Sequence, residues 1–96
     1  MKALIFAPKA AADIDHIYDY TEDNWGAEQA EAYTLDLRRF CDLLAKGIRR
    51  GKALRITRKR YWSLSYKSHF IIYRETATEI VIIRILHQRM NVRQHL

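Results

Sequence analysis

Two polar residues that follow the last apolar run of the chain have the chemistry to exchange a proton and to hold an anion. The run "EIVIIRIL" is followed directly by His87, and Arg89 comes two residues later. An imidazole can act as a general base or acid near neutral pH, and a guanidinium can stabilise phosphate charge. His69 is a second candidate for proton exchange. A histidine leaving a strand is more often a hydrogen-bonded structural residue, so both interpretations stay open here.

Cations are concentrated in the second half of the chain. Up to Ile48, five lysines and arginines stand against nine acidic residues, and after it twelve stand against two. Such asymmetry is typical of a basic surface for an acidic partner or nucleic acid, although part of it is simply solvated. The basic connector from Arg49 to Arg60 precedes Tyr61 and Trp62, a combination that could grip phosphates and stack bases. No nucleic-acid fingerprint is present, however, so we expect an acidic protein partner rather than direct nucleic-acid binding.

Arg84 lies inside the otherwise apolar final run. Burying an unpaired guanidinium is costly. We therefore expect Arg84 to find a carboxylate or to face a groove that a partner fills.

The remaining reactive residue types indicate no cofactor. The four histidines are too scattered for a zinc pattern, and Cys41 has no second cysteine for an internal disulfide. The longest run of aliphatic residues is too short to span a bilayer, and no signal peptide follows Met1. We expect a cytosolic protein that makes no membrane contact, with one domain over residues 1–96.

These residues must be positioned by an α+β fold. A strand is predicted over Lys2–Phe6, followed by an amphipathic helix from Pro8 to about Asn24 and a second helix ending at Lys46. Period-two runs then predict strands over Tyr61–Tyr66, His69–Tyr73 and Glu79–Leu86, joined by tight turns. The expected fold is an N-terminal strand, an antiparallel helical hairpin on one face of a mainly antiparallel sheet, and a C-terminal three-strand meander.

The same periodicity predicts which residues are buried. Helical spacing places Asp13 on the polar face of the first helix and makes an aromatic stripe part of the core; its members are Tyr18, Trp25, Tyr33 and Phe40. The final strand is apolar on both faces apart from Arg84, so it is predicted to be the central strand. The first strand is expected to add at an edge or beside the final strand.

Several strings of the sequence resemble one family. The strings "AAADIDHIYDYTEDNWG", "AEQAEAY", "HFIIYR" and above all "IVIIRILHQRMNVRQHL" are similar to the ParE toxins of the RelE/ParE toxin–antitoxin superfamily. The resemblance implies a growth-inhibiting toxin that binds and inhibits DNA gyrase without covalent chemistry. It also implies a ParD-type antitoxin that neutralises the toxin in a hetero-oligomer, while a homodimer of the free toxin stays open.

The resemblance also suggests where the two partners bind. We expect the target to contact the residues that leave the final strand, which are His87, Gln88, Arg89, Met90 and Arg93. We expect the antitoxin to contact the connector and the sheet, at Arg58, Arg60, Tyr61, Trp62, Arg74 and Arg84.

Two alternatives remain at this point. A RelE-like, ribosome-dependent mRNA endoribonuclease would use His69, His87 and Arg89. However, no tyrosine follows Tyr73 to complete the set of catalytic residues that is usual in the RelE branch of the superfamily. An inactive member that only binds its antitoxin is the other alternative. The fold is common to both branches and so does not separate them.

Overall fold

The computed structural model describes residues 1–55 and 58–96. Its elements, in chain order, are β1 (Ala3–Phe6), α1 (Pro8–Trp25), α2 (Ala27–Ala45), β2 (Lys52–Leu54), β3 (Tyr61–Tyr66), β4 (His69–Glu75), β5 (Glu79–His87) and α3 (Val92–His95). The α+β class and the C-terminal meander are confirmed. Ile56 and Thr57 of the basic connector lie outside the described residues.

The two long helices begin and end where the local chemistry favours it. Pro8 occupies the first turn of α1, where its missing N–H has no intrahelical partner to lose. Gly26 ends α1 and precedes α2 with a positive φ of 93°, and its N–H donates to the Glu22 carbonyl. Glycine adopts this φ without strain. The helices therefore fold back on each other as the predicted hairpin.

The sheet has the order β1-β5-β4-β3-β2, with β1 parallel to β5 and every other pair antiparallel. The prediction that the final strand is central was wrong, because β4 is the middle strand and β5 lies between β4 and the edge strand β1. Strand β1 pairs only with Glu79–Ile82. The second half of β5 therefore has no β-strand on that side in the described structure, and α1 lies against it instead.

A β-bulge interrupts β5. Ile72 pairs with Arg84 and Tyr73 pairs with Ile82, so Ile83 is an extra residue in the ladder. Such a bulge shifts the side-chain alternation by one residue. Ile82 consequently packs in the main core against the helices, whereas Leu86 packs in a smaller core on the other face of the sheet.

Helical spacing predicted most of the core, with two exceptions on α1. Leu37, Cys41 and Leu44 are buried on α2 as expected. Trp25, which was predicted to be a core residue, is 64% exposed, and it is the last residue of α1. Asp13, which was predicted to face solvent, is 9% exposed. Within the described residues, no helix is long and apolar enough to cross a membrane.

Candidate functional site

The residues that leave β5 are held against the turn between β3 and β4. The side-chain amide of Gln88 donates to the Lys67 carbonyl at 2.9 Å, and the Gln88 backbone N–H donates to the Ser68 carbonyl at 2.9 Å. The backbone N–H of Arg89 donates to His87 Nδ1 at 3.1 Å, while its side chain is exposed. These bonds fix the backbone and leave the Arg89 guanidinium available to a partner.

Met90 and Arg93 complete the predicted target-binding set. Met90 is 47% exposed, and its backbone N–H donates to the His87 carbonyl at 2.9 Å. Arg93 is exposed on α3, whose first turn is capped by the Asn91 side chain accepting from the Arg93 N–H at 3.1 Å. Four residues of the set, His87 to Met90, therefore lie at and just after the end of β5, whereas Arg93 lies on α3, which packs on one face of the sheet.

His87 faces His69 across β4 and β5. The two residues are direct strand partners, and their ring centroids are 5.4 Å apart in an edge-to-face arrangement. The Tyr33 hydroxyl, from α2, lies 3.1 Å from His69 Nδ1. Burial, together with the nearby His87, lowers the pKa of His69. Burial, followed by the nearby Tyr66, raises the pKa of the Tyr33 hydroxyl.

A cleft of about 610 Å³ opens beside these residues. Its walls come from the adjoining ends of α1 and α2 and from the outgoing end of β5, and they include His16, Tyr20, Trp25, Tyr33, His69, His87 and Met90. Tyr20 is 63% exposed and packs edge-to-face on Trp25 with centroids 6.1 Å apart. Large exposed rings that flank a cleft are typical of protein-binding surfaces. We call this feature the aromatic cleft.

Asp13 and Arg84 form a two-bond ion pair beside the cleft. Arg84 Nε and Nη2 donate to the two carboxylate oxygens of Asp13 at 2.8 and 2.9 Å. The expectation that Arg84 finds a carboxylate is confirmed. Arg84 Nη1 also donates to the His95 carbonyl at 3.1 Å, so the same side chain links α1 to α3. The hydrogen bonds that Arg84 donates to Asp13 raise the pKa of Arg84.

Asp13 also replaces a missing strand partner. Its Oδ2 accepts the backbone N–H of Ile85 at 2.9 Å, on the part of β5 that β1 does not reach. A buried N–H without an acceptor costs free energy, so this bond closes the open half of the strand. Asp13 therefore positions the outgoing end of β5.

The predicted antitoxin-binding residues are only partly brought together. Arg58, Arg60, Tyr61 and Trp62 line a second, basic pocket of about 380 Å³. Tyr61 is buried and Trp62 is half-buried, and both rings pack in the cores. Arg74 is exposed on β4 beside this region but does not line the pocket. Arg84 lies elsewhere, on β5, with its guanidinium engaged by Asp13 and His95.

Sequence reasoning missed three residues of the site. Asp13 was assigned to the polar face, yet it follows Ala10 by three residues and precedes Ile17 by four, so it falls within the buried stripe. An acid inside such a stripe was the available signal. Tyr20 was assigned to neither the core nor the site. Tyr33 was assigned to the core, and no signal in the sequence links it to His69.

Known proteins match nearly the whole chain. The model of the ParE toxin of type II toxin-antitoxin systems, parDE, matches residues 4–92. A protein of Mycobacterium tuberculosis named Toxin ParE1 is 39% identical over 93 residues, covering 96% of this chain and 95% of that protein. A protein of Caulobacter vibrioides named Toxin ParE1 is 36% identical over 96 residues, covering 100% of this chain and 99% of that protein.

A solved structure also shares the fold. A chain of the chromosomal ParDE TA system from P. aeruginosa superposes with a TM-score of 0.75 at 28% identity, over 91% of this chain and 96% of that one. The match to the family model, the two relatives and the shared fold agree with one another. The chain therefore belongs to the ParE toxins of type II toxin–antitoxin systems.

Proposed function

We propose that this ParE-type toxin inhibits DNA gyrase by binding to it and is neutralised by a ParD-type antitoxin. Membership of the ParE family supports the proposal, as does the likeness to a chain of a ParDE system. The target-binding part of the proposal rests on the aromatic cleft beside the outgoing end of β5. In this proposal the toxin forms no covalent bond and acts by holding its target.

The contact with the target is made at the outgoing end of β5, by His87, Gln88, Arg89, Met90 and Arg93. Arg89 and Arg93 present exposed guanidinium groups, and Met90 presents an apolar side chain at the edge of the aromatic cleft. Tyr20 and Trp25 supply exposed ring area on the opposite wall. A few exposed aromatic and arginine residues commonly provide most of the binding free energy of an interface.

The contact with the antitoxin is made at the basic pocket. Acidic residues of the antitoxin pair with Arg58, Arg60 and Arg74, and its apolar side chains cover the remaining accessible parts of Tyr61 and Trp62. Arg84 is not part of this surface, because its guanidinium is already bonded to Asp13 and His95. The two surfaces are separate, so the toxin's two interactions can be separated by mutation.

A DNA supercoiling assay tests the proposal. Purified toxin should inhibit gyrase and increase the amount of cleaved DNA, and the cognate ParD-type antitoxin should restore supercoiling. Arg89→Ala with Met90→Ala should abolish inhibition. Arg58→Glu with Arg60→Glu should leave inhibition intact but weaken rescue by the antitoxin. Gyrase that stays fully active at a large molar excess of toxin would contradict the proposal.

One specific observation favours a second candidate, a RelE-like ribosome-dependent endoribonuclease. Tyr33 stands 3.1 Å from His69, and His69 faces His87, so a tyrosine–histidine pair exists although no tyrosine follows Tyr73. In such an enzyme an imidazole takes the proton of the 2′-hydroxyl, and Arg89 stabilises the charge on the phosphate.

Translating extract separates the two candidates. Under the second one, added toxin shortens the mRNA, and His69→Ala, His87→Ala and Arg89→Ala each abolish cleavage. Intact message in the presence of toxin, under conditions that inhibit gyrase, excludes it.

A further inference from the structure

Acidic and basic residues are separated along the chain more sharply than the total charges of its two halves indicate. Residues 10–37 contain eight acidic residues and no lysine or arginine, whereas residues 43–74 contain ten lysines and arginines and no acidic residue. The first interval forms most of α1 and α2, and the second contains β2, β3 and most of β4. The charge of the protein is therefore unevenly distributed along the chain, and the acidic residues nearest the basic interval in sequence are Asp42 and Glu75.

The fold puts the densest part of the second interval on one edge of the sheet. β2 is the edge strand farthest from β1 and β5, which α1 contacts. On β2 and beside it lie four exposed cations, Arg49, Arg50, Lys52 and Arg55, which we call the cationic edge.

The backbone that carries the cationic edge is firmly held. The Gly51 N–H donates to the Tyr73 hydroxyl at 2.7 Å, and a Cβ on Gly51 would lie 2.6 Å from the Ser63 carbonyl oxygen. The Arg49 guanidinium carbon lies 5.7 Å from the centre of the Phe40 ring. The cations are thus presented from a fixed backbone, which lowers the entropy lost when they bind a ligand.

The charges of the cationic edge are not neutralised within the protein. In the part of the chain that the structure describes, the ion pairs are Lys2–Glu75, Arg39–Asp36, Lys46–Asp42 and Arg84–Asp13. None of them includes a residue of the cationic edge. The edge therefore offers four unpaired positive charges to an anionic ligand.

Arg55 also lines the basic pocket assigned above to the antitoxin, but Arg49, Arg50 and Lys52 lie outside it, and their surroundings suit a polyphosphate better than a folded acidic protein. Protein interfaces rely on exposed aromatic or aliphatic anchors. The large exposed apolar residues of the described chain are Met1, Ile5, Tyr20, Trp25, Leu35, Ile48 and Met90, and of these only Ile48 adjoins the edge in sequence. Binding at the edge is therefore dominated by charge, as in contacts with a nucleic-acid backbone.

We propose that the cationic edge binds the phosphate backbone of duplex DNA without sequence preference. Seven residues span at most about 24 Å when extended, and duplex DNA carries about 14 phosphates over that length, so each cation has a phosphate within reach. The uneven distribution of charge between residues 10–37 and residues 43–74 favours an approach in which the basic residues face the duplex. This activity goes beyond the proposed inhibition of gyrase, because it needs neither gyrase nor an antitoxin.

Fluorescence anisotropy with a labelled 20-base-pair duplex tests the proposal, using the full chain alone at 50 to 200 mM salt. The toxin should bind with a Kd of about 1 to 100 µM at physiological salt, and the logarithm of the affinity should fall linearly with the logarithm of salt concentration. Replacing Arg50, Lys52 and Arg55 by glutamine should reduce this slope by up to about 2.7, since each phosphate contact contributes about 0.9.

A matched variant controls for net charge. Replacing Lys9, Arg38 and Arg39 by glutamine removes the same three charges from outside the cationic edge and should leave the slope unchanged. Arg50→Lys with Arg55→Lys keeps the charge and should retain binding, and circular dichroism confirms that each variant is folded.

Three results would overturn the proposal. The first is a duplex that does not bind at 50 mM salt. The second is an equal loss of slope in the two triple variants, which would reflect net charge alone. The third is tighter binding of the edge to a glutamate peptide than to the duplex, when the peptide and the duplex carry the same total charge. This result would mean that the edge binds an acidic protein segment. None of these outcomes changes the result expected in the gyrase assay. The proposal that the edge binds duplex DNA can therefore fail while the proposed inhibition of gyrase stands, and the reverse is also true.

Discussion

Asp13 and Arg84, 71 residues apart in the chain, form two parallel hydrogen bonds at 2.8 and 2.9 Å. Their side chains are only 10% and 16% exposed. The pair holds α1 against the half of β5 that β1 does not cover, and Arg84 holds α3 as well. Removing either partner would leave a desolvated charge without compensation.

We expect Asp13→Asn to lower the free energy of unfolding by about 3 kcal/mol, in the range measured when one partner of a buried ion pair is lost. Urea denaturation monitored by circular dichroism measures this change. Asp15→Asn on the exposed face of α1 is the control, and it should change the value by less than about 0.5 kcal/mol. Asp13→Leu combined with Arg84→Met should cost less than Asp13→Asn, because no charge is then buried alone. A loss below about 1 kcal/mol for Asp13→Asn would contradict the structural role of the pair.

The stability of the fold should decrease as the pH falls through 6.5. Burial, followed by the charge of His87, lowers the folded-state pKa of His69 below its ordinary value of 6.5. Between the lowered pKa and 6.5 the unfolded chain binds more protons, so the free energy of unfolding rises with pH there and is highest above about pH 7. Urea denaturation at pH 5.5, 6.5 and 7.5 should show this dependence. His69→Gln should flatten it, and an unchanged pH dependence in this variant would contradict the role of His69.

The charge of His87 should also influence the pKa of His69. Because a proton on His87 disfavours a second one on His69, His87→Gln should raise the pKa of His69. Titration of the imidazole protons by NMR measures this shift. An unchanged or lower pKa for His69 in the variant would show that the two rings do not interact as their 5.4 Å separation indicates.

The aromatic cleft should contribute to target binding and not to stability. Trp25 is 64% exposed, so Trp25→Ala should change the free energy of unfolding by less than about 1 kcal/mol. The same variant should require at least about ten times more toxin to inhibit supercoiling, because removing an interface hot spot costs more than about 1.4 kcal/mol. Leu35→Ala, at a 46% exposed position on α2 outside the cleft, is the matched control and should inhibit normally. Equal inhibition by the Trp25 variant and the wild-type toxin would remove the cleft from the binding surface.

Cys41 should be protected from thiol reagents in the folded protein. Its side chain is fully buried, and burial raises its pKa to about 12. At pH 8 the thiolate, which is the reactive form, would be present in only about one molecule in ten thousand. Labelling with iodoacetamide should therefore be slow without urea and fast above the unfolding transition. A Cys41→Ala variant with Ala32→Cys at an exposed helical position provides the unprotected comparison. Native labelling of Cys41 within tenfold of that comparison would contradict the burial.

The elements were predictable because their signals are local. The alternation from Tyr61 to Tyr66 gave β3 with its observed ends, and β4 extends only two residues beyond the predicted Tyr73, to Glu75. Pro8 and Gly26 likewise marked where the helices begin and end. In each case the deciding interactions lie within a few residues of one another.

The contacts of the site were not predictable, because they join distant parts of the chain. The apolar run around Arg84 indicated that a carboxylate was needed, but it did not indicate which of eleven acidic residues would supply it. The approach of Tyr33 to His69 depends on how α2 crosses the sheet, which helical periodicity does not specify. Trp25 was assigned to the core because periodicity reports which face of a helix is apolar and does not report where the sheet beneath it stops.

The extra residue in β5 determines the orientation of everything that follows it. If β5 kept all its residues but paired with β4 without the bulge, Ile83 would pair with Ile72, so Leu86 would turn toward the helices and His87 toward α3. The histidine pair would then be split between opposite sides of the sheet, and Tyr33 would face a different neighbour. The bulge thus allows a strand of this length to present both histidines on the face that carries the helices.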